Sequence, residues 1–348
     1  MVSTRSSTTR RALFICGSTN QTTQMLQVAR ALSEFAPAFT PYYGTRALTF
    51  LSRHGFDRVF DPTIMGARRR ALCLEQLRGH GVELDCDGAR GGYDLVVTCS
   101  DVIVPENIRR SPLVLVQEGM TDPDTWLSRA VQRFGLPTWL AGGTTLTGLS
   151  GHYDRFCVAS KGYRDLFVAR GARPEKLAVT GIPNFDDCQR YADQALPYRN
   201  YVLACTSDLR ETLRRDDRRA FIERVNRIAG GRTIRFKLHP NEHVERARRE
   251  IARWSPRAFV HVAESTEALI AHCDVLVTQV SSVVYVGIAL GKEVHSDIDV
   301  ATLRRLCPVQ NGATSAANIA EVCRELARGA TRAPVSSTEQ DVLPEGAS

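Results

Sequence analysis

Lysine is nearly absent from this sequence: of 45 basic residues in 348, only Lys161, Lys176, Lys237 and Lys292 are lysines. The formal charge of +7 therefore rests on arginine. A general arginine-for-lysine bias accounts for it without a polyanionic partner. An acidic ligand, nucleic acid or a membrane surface are the other readings. Among the ten cysteines there is no C-x-x-C pair, and Cys16, Cys99, Cys157 and Cys205 fall inside or at the ends of apolar runs. Small buried thiols in a reducing compartment fit this better than zinc or a disulfide framework. No apolar stretch approaches the roughly 18 residues of a membrane span. The Ser-, Thr- and Arg-rich start, Met1–Arg11, faintly resembles a transit peptide, but the run Ala12–Cys16 is too short for a signal-peptide core. Neither G-x-G-x-x-G nor G-x-x-x-x-G-K-[ST] occurs, so a nicotinamide or flavin site and a P-loop have no support.

What is present describes a folded protein. Hydrophobic residues make up 43% and charged residues 24%, which excludes global disorder, a collagen-like repeat and a coiled-coil rod. The length suits two domains. Short apolar runs alternate with amphipathic stretches, the pattern of parallel α/β sheets. Strands are expected at 12–16, 38–43, 93–98, 112–117 and 153–159, then again at 200–205, 233–238 and 274–278. Helices are expected after 17–20, over Arg46–His54, 161–170, 208–228 and 283–290, and finally over 316–327. The expected organisation is a disordered N-terminus (1–10), a first Rossmann-like, acceptor-side domain (11–182) and a turn-rich linker (183–198). A second Rossmann-like, donor-binding domain (199–330) and a disordered tail (331–348) follow.

In parallel sheets ligands bind beyond the carboxyl ends of strands, and chemistry-bearing residues stand there. Gly17-Ser18-Thr19 opens a helix and suits close backbone approach to an anion or hydroxyl-rich group, or is a plain turn. Glu118 ends an apolar strand, where a carboxylate needs a cleft or a partner; it is a general base or a loop cap. Asp101 ends the preceding strand as an accessory carboxylate or an N-cap. His239, fixed by Pro240, donates to a phosphate oxygen and stabilises a departing nucleotide, or is a purely structural histidine. His239 and His243 have the i, i+4 spacing of a zinc helix, but Pro240 between them and the lack of a third ligand argue against metal. Ser281 and Ser282 bind phosphate or cap the apolar helix that follows. Thr206 and Ser207, after the first strand of the second unit, are ligand loop or cap.

Together, Gln117-Glu118-Gly119, His239-Pro240 and Ser281-Ser282 resemble the three short motifs of bacterial sialyltransferases and polysialyltransferases. The last two are also similar to those of CDP-glycerol glycerophosphotransferases and other GT-B type transferases. Val179-Thr-Gly-Ile-Pro183 and Ala289-Leu-Gly-Lys292 resemble non-hydrolysing UDP-N-acetylglucosamine 2-epimerases. The resemblance spans roughly residues 11–330. It implies two Rossmann-like domains around an active-site cleft, with Glu118 as general base, His239 assisting the leaving group, and Ser281 and Ser282 on the phosphate. Gln117 stands where the sialyltransferase triplet has an acidic residue. Against the epimerases, Val280-Ser281-Ser282 replaces a Ser-Gly-Gly motif, and the glutamate expected near Tyr285 is missing.

The expectation is an inverting, metal-independent transferase without a cofactor, located in the cytoplasm or at the inner face of the membrane. It would move a sugar or polyol phosphate from a CMP-, CDP- or UDP-linked donor to a hydroxyl of a glycan or glycolipid, with no nucleic-acid partner; a dimer is allowed. A 2-epimerase is the same-fold alternative. A non-catalytic polyanion-binding protein, suggested by Arg214, Arg215, Arg218 and Arg219, is the alternative from another class.

Overall fold

The computed structural model describes residues 9–45, 66–136, 138–141, 143–211 and 216–332. The helix expected over Arg46–His54, most of the expected N-terminal and C-terminal disorder, and Arg214–Arg215 lie outside the described residues.

Two parallel sheets carry the fold. The first holds β1 (Arg10–Cys16), β2 (Phe35–Pro41), β3 (Leu95–Thr98), β4 (Leu113–Val116), β5 (Arg155–Val158) and β6 (Leu177–Val179), in the order β2-β1-β3-β4-β5-β6. The second holds β7 (Tyr201–Cys205), β8 (Thr233–Lys237), β9 (Phe259–His261), β10 (Val275–Thr278) and β11 (Glu293–His295), in the order β11-β10-β7-β8-β9. Every neighbouring pair is parallel. All residues of β3, β4 and β10 are buried, because helices cover both faces, and this is why those strands read as continuous apolar runs. The short strands β6, β9 and β11 escaped the sequence reading: each has three residues and mixes buried with exposed positions.

The connecting helices are α1 (Thr19–Ala31), α2 (Ala67–Gly79), α3 (Trp126–Arg133), α4 (Lys161–Ala169), α5 (Arg218–Ala229), α6 (Val244–Trp254), α7 (Thr266–His272), α8 (Val284–Ala289), α9 (Val300–Leu306) and α10 (Ser315–Arg332). No helix among the described residues is long and apolar enough to cross a membrane. The helix expected from Asp208 starts ten residues later, at Arg218. Asp217 caps it, accepting from Ala220 N at 3.0 Å. Asp216 before it is buried between Arg210 (3.0 Å) and Arg218 (3.1 Å), so this stretch serves a buried ion network rather than a helical ladder.

Helix α10 leaves the second sheet and returns to the first. Its Ile319, Ala320 and Cys323 are fully buried in one cluster with Phe14, Met25 and Val114. The chain therefore crosses between the domains twice. The two crossings are tied together: Asn311 N and Gly312 N donate to Asp186 O, at 2.9 and 3.1 Å, and Ser315 N donates to the Asp186 carboxylate at 2.9 Å. At Gly181, φ is 76° and a Cβ would lie 2.2 Å from Ser315 Oγ, so only glycine fits this junction. A further apolar cluster runs through both domains, from Leu13 and Leu115 to Leu203 and Tyr285.

The strand order reverses between β1 and β3 in the first sheet and between β7 and β10 in the second. Such switch points open a crevice at the strands' carboxyl ends. Gly17 lies at the first and Thr206–Ser207 at the second.

Candidate active site

Glu118 stands two residues past the end of β4 and is half-buried. Ser18 Oγ donates to its Oε1 at 2.7 Å, and Gln21 Nε2 donates to its Oε2 at 2.6 Å. Ser18 is at the same time the N-cap of α1, accepting from Gln21 N at 3.1 Å. Gln21 Oε1 takes the Gly17 N–H at 2.8 Å. The loop expected to touch a ligand thus holds the carboxylate by two side chains, while each carboxylate oxygen keeps a further lone pair for a substrate hydroxyl. Thr19 is exposed at the mouth of this loop. Beneath it, Cys99 is fully buried, and burial followed by the Glu118 charge pushes its thiol well up.

Gln117 is a structural amide. Its Oε1 accepts from Ala159 N at 2.9 Å and its Nε2 donates to Gly119 O at 2.7 Å. A carboxylate could accept the first bond but not donate the second, which explains glutamine where the resembled triplet is acidic. Asp101, 1% exposed, takes Gly148 N at 2.7 Å and Ser150 N and Oγ at 3.1 and 2.6 Å. Burial raises its pKa against these hydrogen bonds. It clamps the 148–150 loop away from solvent.

On the second sheet, His239 ends the β8 loop with its side chain 33% exposed. Its backbone N–H is shared between Thr206 Oγ1 (3.1 Å) and Glu242 Oε2 (3.0 Å). Its Nδ1 accepts from Asn241 N at 3.2 Å and lies 3.7 Å from Asp208 Oδ2. With Nδ1 accepting from Asn241, Nε2 is the ring nitrogen left to donate. His243 instead caps α6, accepting from Arg246 N at 3.4 Å, so the two histidines do not share a helix. Pro240 is exposed beside His239. Thr206 and Ser207 are buried: Thr206 bonds Glu242, and Ser207 Oγ donates to Gln279 Oε1 at 2.9 Å. Glu242 pairs with Arg218 at 2.7 Å, and Gln279 Nε2 donates to Asp216 Oδ1 at 3.0 Å. These residues brace the His239 loop against the loop that follows β10.

That loop carries Ser281 and Ser282, both half-buried. Neither caps α8, whose N-cap is Val283 without a side-chain bond. Ser282 meets the first domain: a Cβ on Gly119 would lie 3.7 Å from Ser282 Cβ. The loop that carries Glu118 therefore packs, at Gly119, against the loop that carries the serine pair. Asn184 Nδ2 donates to Asn20 O at 3.0 Å, tying the segment after β6 to the start of α1. A cleft of about 670 Å³ opens alongside, lined by Asp124 and Thr125 from the first domain and Phe221, Arg224, Gln279 and Val280 from the second. Neither Glu118 nor His239 lines it, but Gln279 and Val280 lead directly into Ser281.

The sequence reading passed over Gln21, Gln24, Glu242 and Gln279, all buried. Gln24 Nε2 donates to Gln117 O at 2.9 Å, anchoring the Glu118 loop to α1. The signal was legible: Gln21 and Gln24 share the inward face of α1 with Met25 and Val28, where an amide needs a partner. Arg218 is 2% exposed and held by Asp216 and Glu242, and Arg219 pairs with Glu223 at 2.7 Å, so among the described residues this cluster is not an open basic patch.

No protein-family model matches the chain, and no curated protein matches it. Solved structures do. A UDP-N-acetylglucosamine 2-epimerase from Rickettsia bellii is 10% identical, with TM-score 0.53, over 92% of this chain and 97% of that one. The Neisseria meningitidis UDP-GlcNAc 2-epimerase, bound to UDP-GlcNAc, is 12% identical with TM-score 0.52, over 90% and 98%. A variant of the wall teichoic acid polymerase TagF is 10% identical with TM-score 0.52, over 94% and 91%. The likeness establishes the fold: two Rossmann-like domains of the GT-B type.

Proposed function

We propose that this protein is a transferase that moves a sugar or polyol phosphate from a nucleotide-activated donor to an acceptor hydroxyl. The observation that carries the reading is the placement of Glu118, held by Ser18 and Gln21, on the loop whose Gly119 lies against Ser282 of the second domain. The acceptor oxygen attacks the anomeric carbon, or the phosphorus of a polyol phosphate, and Glu118 takes its proton. The bond to the nucleotide phosphate breaks with its electron pair leaving on the phosphate. His239 Nε2–H and the two serine hydroxyls donate to that developing charge. A sugar moved in this single displacement inverts. None of these steps calls on a metal ion or cofactor. Fold likeness to TagF supports the polyol-phosphate form of the reading.

Fold likeness to two 2-epimerases favours a second reading, in which a UDP-N-acetylhexosamine is the sole substrate. Against it, the position near which that family's glutamate is expected holds Tyr285, buried and bonded to Tyr163. The deciding experiment is a thermal-shift panel of CMP, CDP, UDP and GDP, followed by incubation with the sugar donor of the preferred base. Consumption only when an acceptor is added supports the transferase; 2-epimer formed from the donor alone overturns it. Failure of all four nucleotides to raise the melting temperature overturns both.

A further inference from the structure

Helix α3 buries Ser128 and Val131 and turns its largest apolar side chains outward. Trp126, Ala130 and Phe134, at i, i+4 and i+8, follow one line on its outer face. Trp126 is 79% exposed and Phe134 74% exposed. Arg129 and Arg133, also exposed, flank that line, and exposed Leu136 and Leu140 prolong the apolar surface. Between Asp124 and Asp154 the chain has no acidic residue. Asp124 itself is neutralised by Arg170 at 2.9 Å.

Exposed aromatics beside arginines, in a stretch of sequence without acids, match the chemistry of a helix lying among anionic headgroups. Tryptophan and phenylalanine enter the acyl boundary, and the arginines stay with the phosphates. We propose that this face of α3 docks the protein on an anionic phospholipid bilayer. The segment that joins it to Glu118 is short and anchored, since Thr121 N donates to Tyr163 OH at 3.3 Å. Docking here holds the cleft next to the bilayer, where a lipid-linked acceptor presents its hydroxyl. That last step rests on the transferase reading; the docking does not.

The test is flotation of the full chain with vesicles of phosphatidylcholine alone, or with phosphatidylglycerol added, and no donor present. The expected result is flotation with the anionic vesicles, weakened roughly tenfold or more by Trp126→Glu with Phe134→Glu, and by Arg129→Glu with Arg133→Glu. Because these side chains are exposed, the melting temperature should stay unchanged. With Trp139→Phe and Trp254→Phe, Trp126 remains the only tryptophan, and its emission should shift to the blue on anionic vesicles and be quenched by brominated lipid. Absence of flotation, or equal flotation of the parent and the glutamate variants, overturns the proposal. So does a change from dimer to monomer in the glutamate variants without vesicle binding by the parent, which marks a contact between copies. Intact docking in a protein inactive with every donor overturns only the transferase reading.

Discussion

The hydroxyls of Tyr163 and Tyr285 meet at 2.7 Å, one from the first domain and one from the second, both buried. Thr121 N also donates to the Tyr163 oxygen. This is a polar stitch in the apolar cluster that passes through both domains. Each single phenylalanine substitution leaves a buried hydroxyl short of a partner, so each should cost about 1–2 kcal/mol by urea denaturation. Replacing both should cost less than the sum, which a double-mutant cycle reads directly.

The same pair sets an alkaline limit. Burial pushes both phenols up, Tyr163 to about 12. Between the unfolded value of about 10 and the folded value, the folded state holds more protons than the unfolded state. The contribution is therefore complete below about pH 10 and is lost as pH rises through the folded value. Stability curves of Tyr163→Phe should fall less steeply over that window than those of the parent; parallel curves would contradict this.

For catalysis, Glu118→Gln and His239→Ala should each lower transfer by about 10²–10⁴-fold with the fold retained. Ser18→Ala and Gln21→Leu leave the carboxylate in place but unheld. Their losses should be smaller and lie in kcat more than in KM. Near-normal turnover in folded Glu118→Gln would remove the assigned base.

Gln117→Glu restores the acidic residue of the resembled triplet and should harm rather than help. Its carboxylate would face the Gly119 carbonyl, at a predicted cost of about 1–3 kcal/mol in stability. Chemical denaturation together with turnover distinguishes this from a gain in activity.

Glu242 supports the His239 loop from below, through Thr206, Arg218 and the His239 N–H. Glu242→Gln leaves the buried Arg218 to share Asp216 with Arg210 as its remaining counter-charge. A loss of about 3–5 kcal/mol is expected, with a thermal melt as the first check. Removing Asp208 instead, which lies near His239 but is more exposed, should leave the melt almost unchanged.

The fold class was legible because buried parallel strands write themselves as uninterrupted runs such as Leu95–Thr98 and Val275–Thr278. The start of α5 was not, because Asp216 and Asp217 look alike in sequence, yet one is an interior ion partner and the other a cap. The positions of Glu118, His239 and Ser281–Ser282 at strand ends could be read from the chain. What orients them shows only in part: Gln21 and Gln24 stand out as amides on the inward face of α1, but their partners, like those of Glu242 and Gln279, are distant in sequence. Thr206 and Ser207 have the composition of a ligand loop, but burial turns their hydroxyls to Glu242 and Gln279. The small buried thiols expected of the cysteines agree with nine of the ten being buried or half-buried, Cys86 being the exposed one.

The double crossing between the domains governs how this molecule can move. A single tether would allow the halves to swivel and slide in many directions. Two tethers, pinned to each other by Asp186 and packed at Gly181, behave like the two leaves of a door hung on one pin. Opening and closing are reduced to rotation about that line. Neither half can be cut away whole, because the last described helix completes the core of the first.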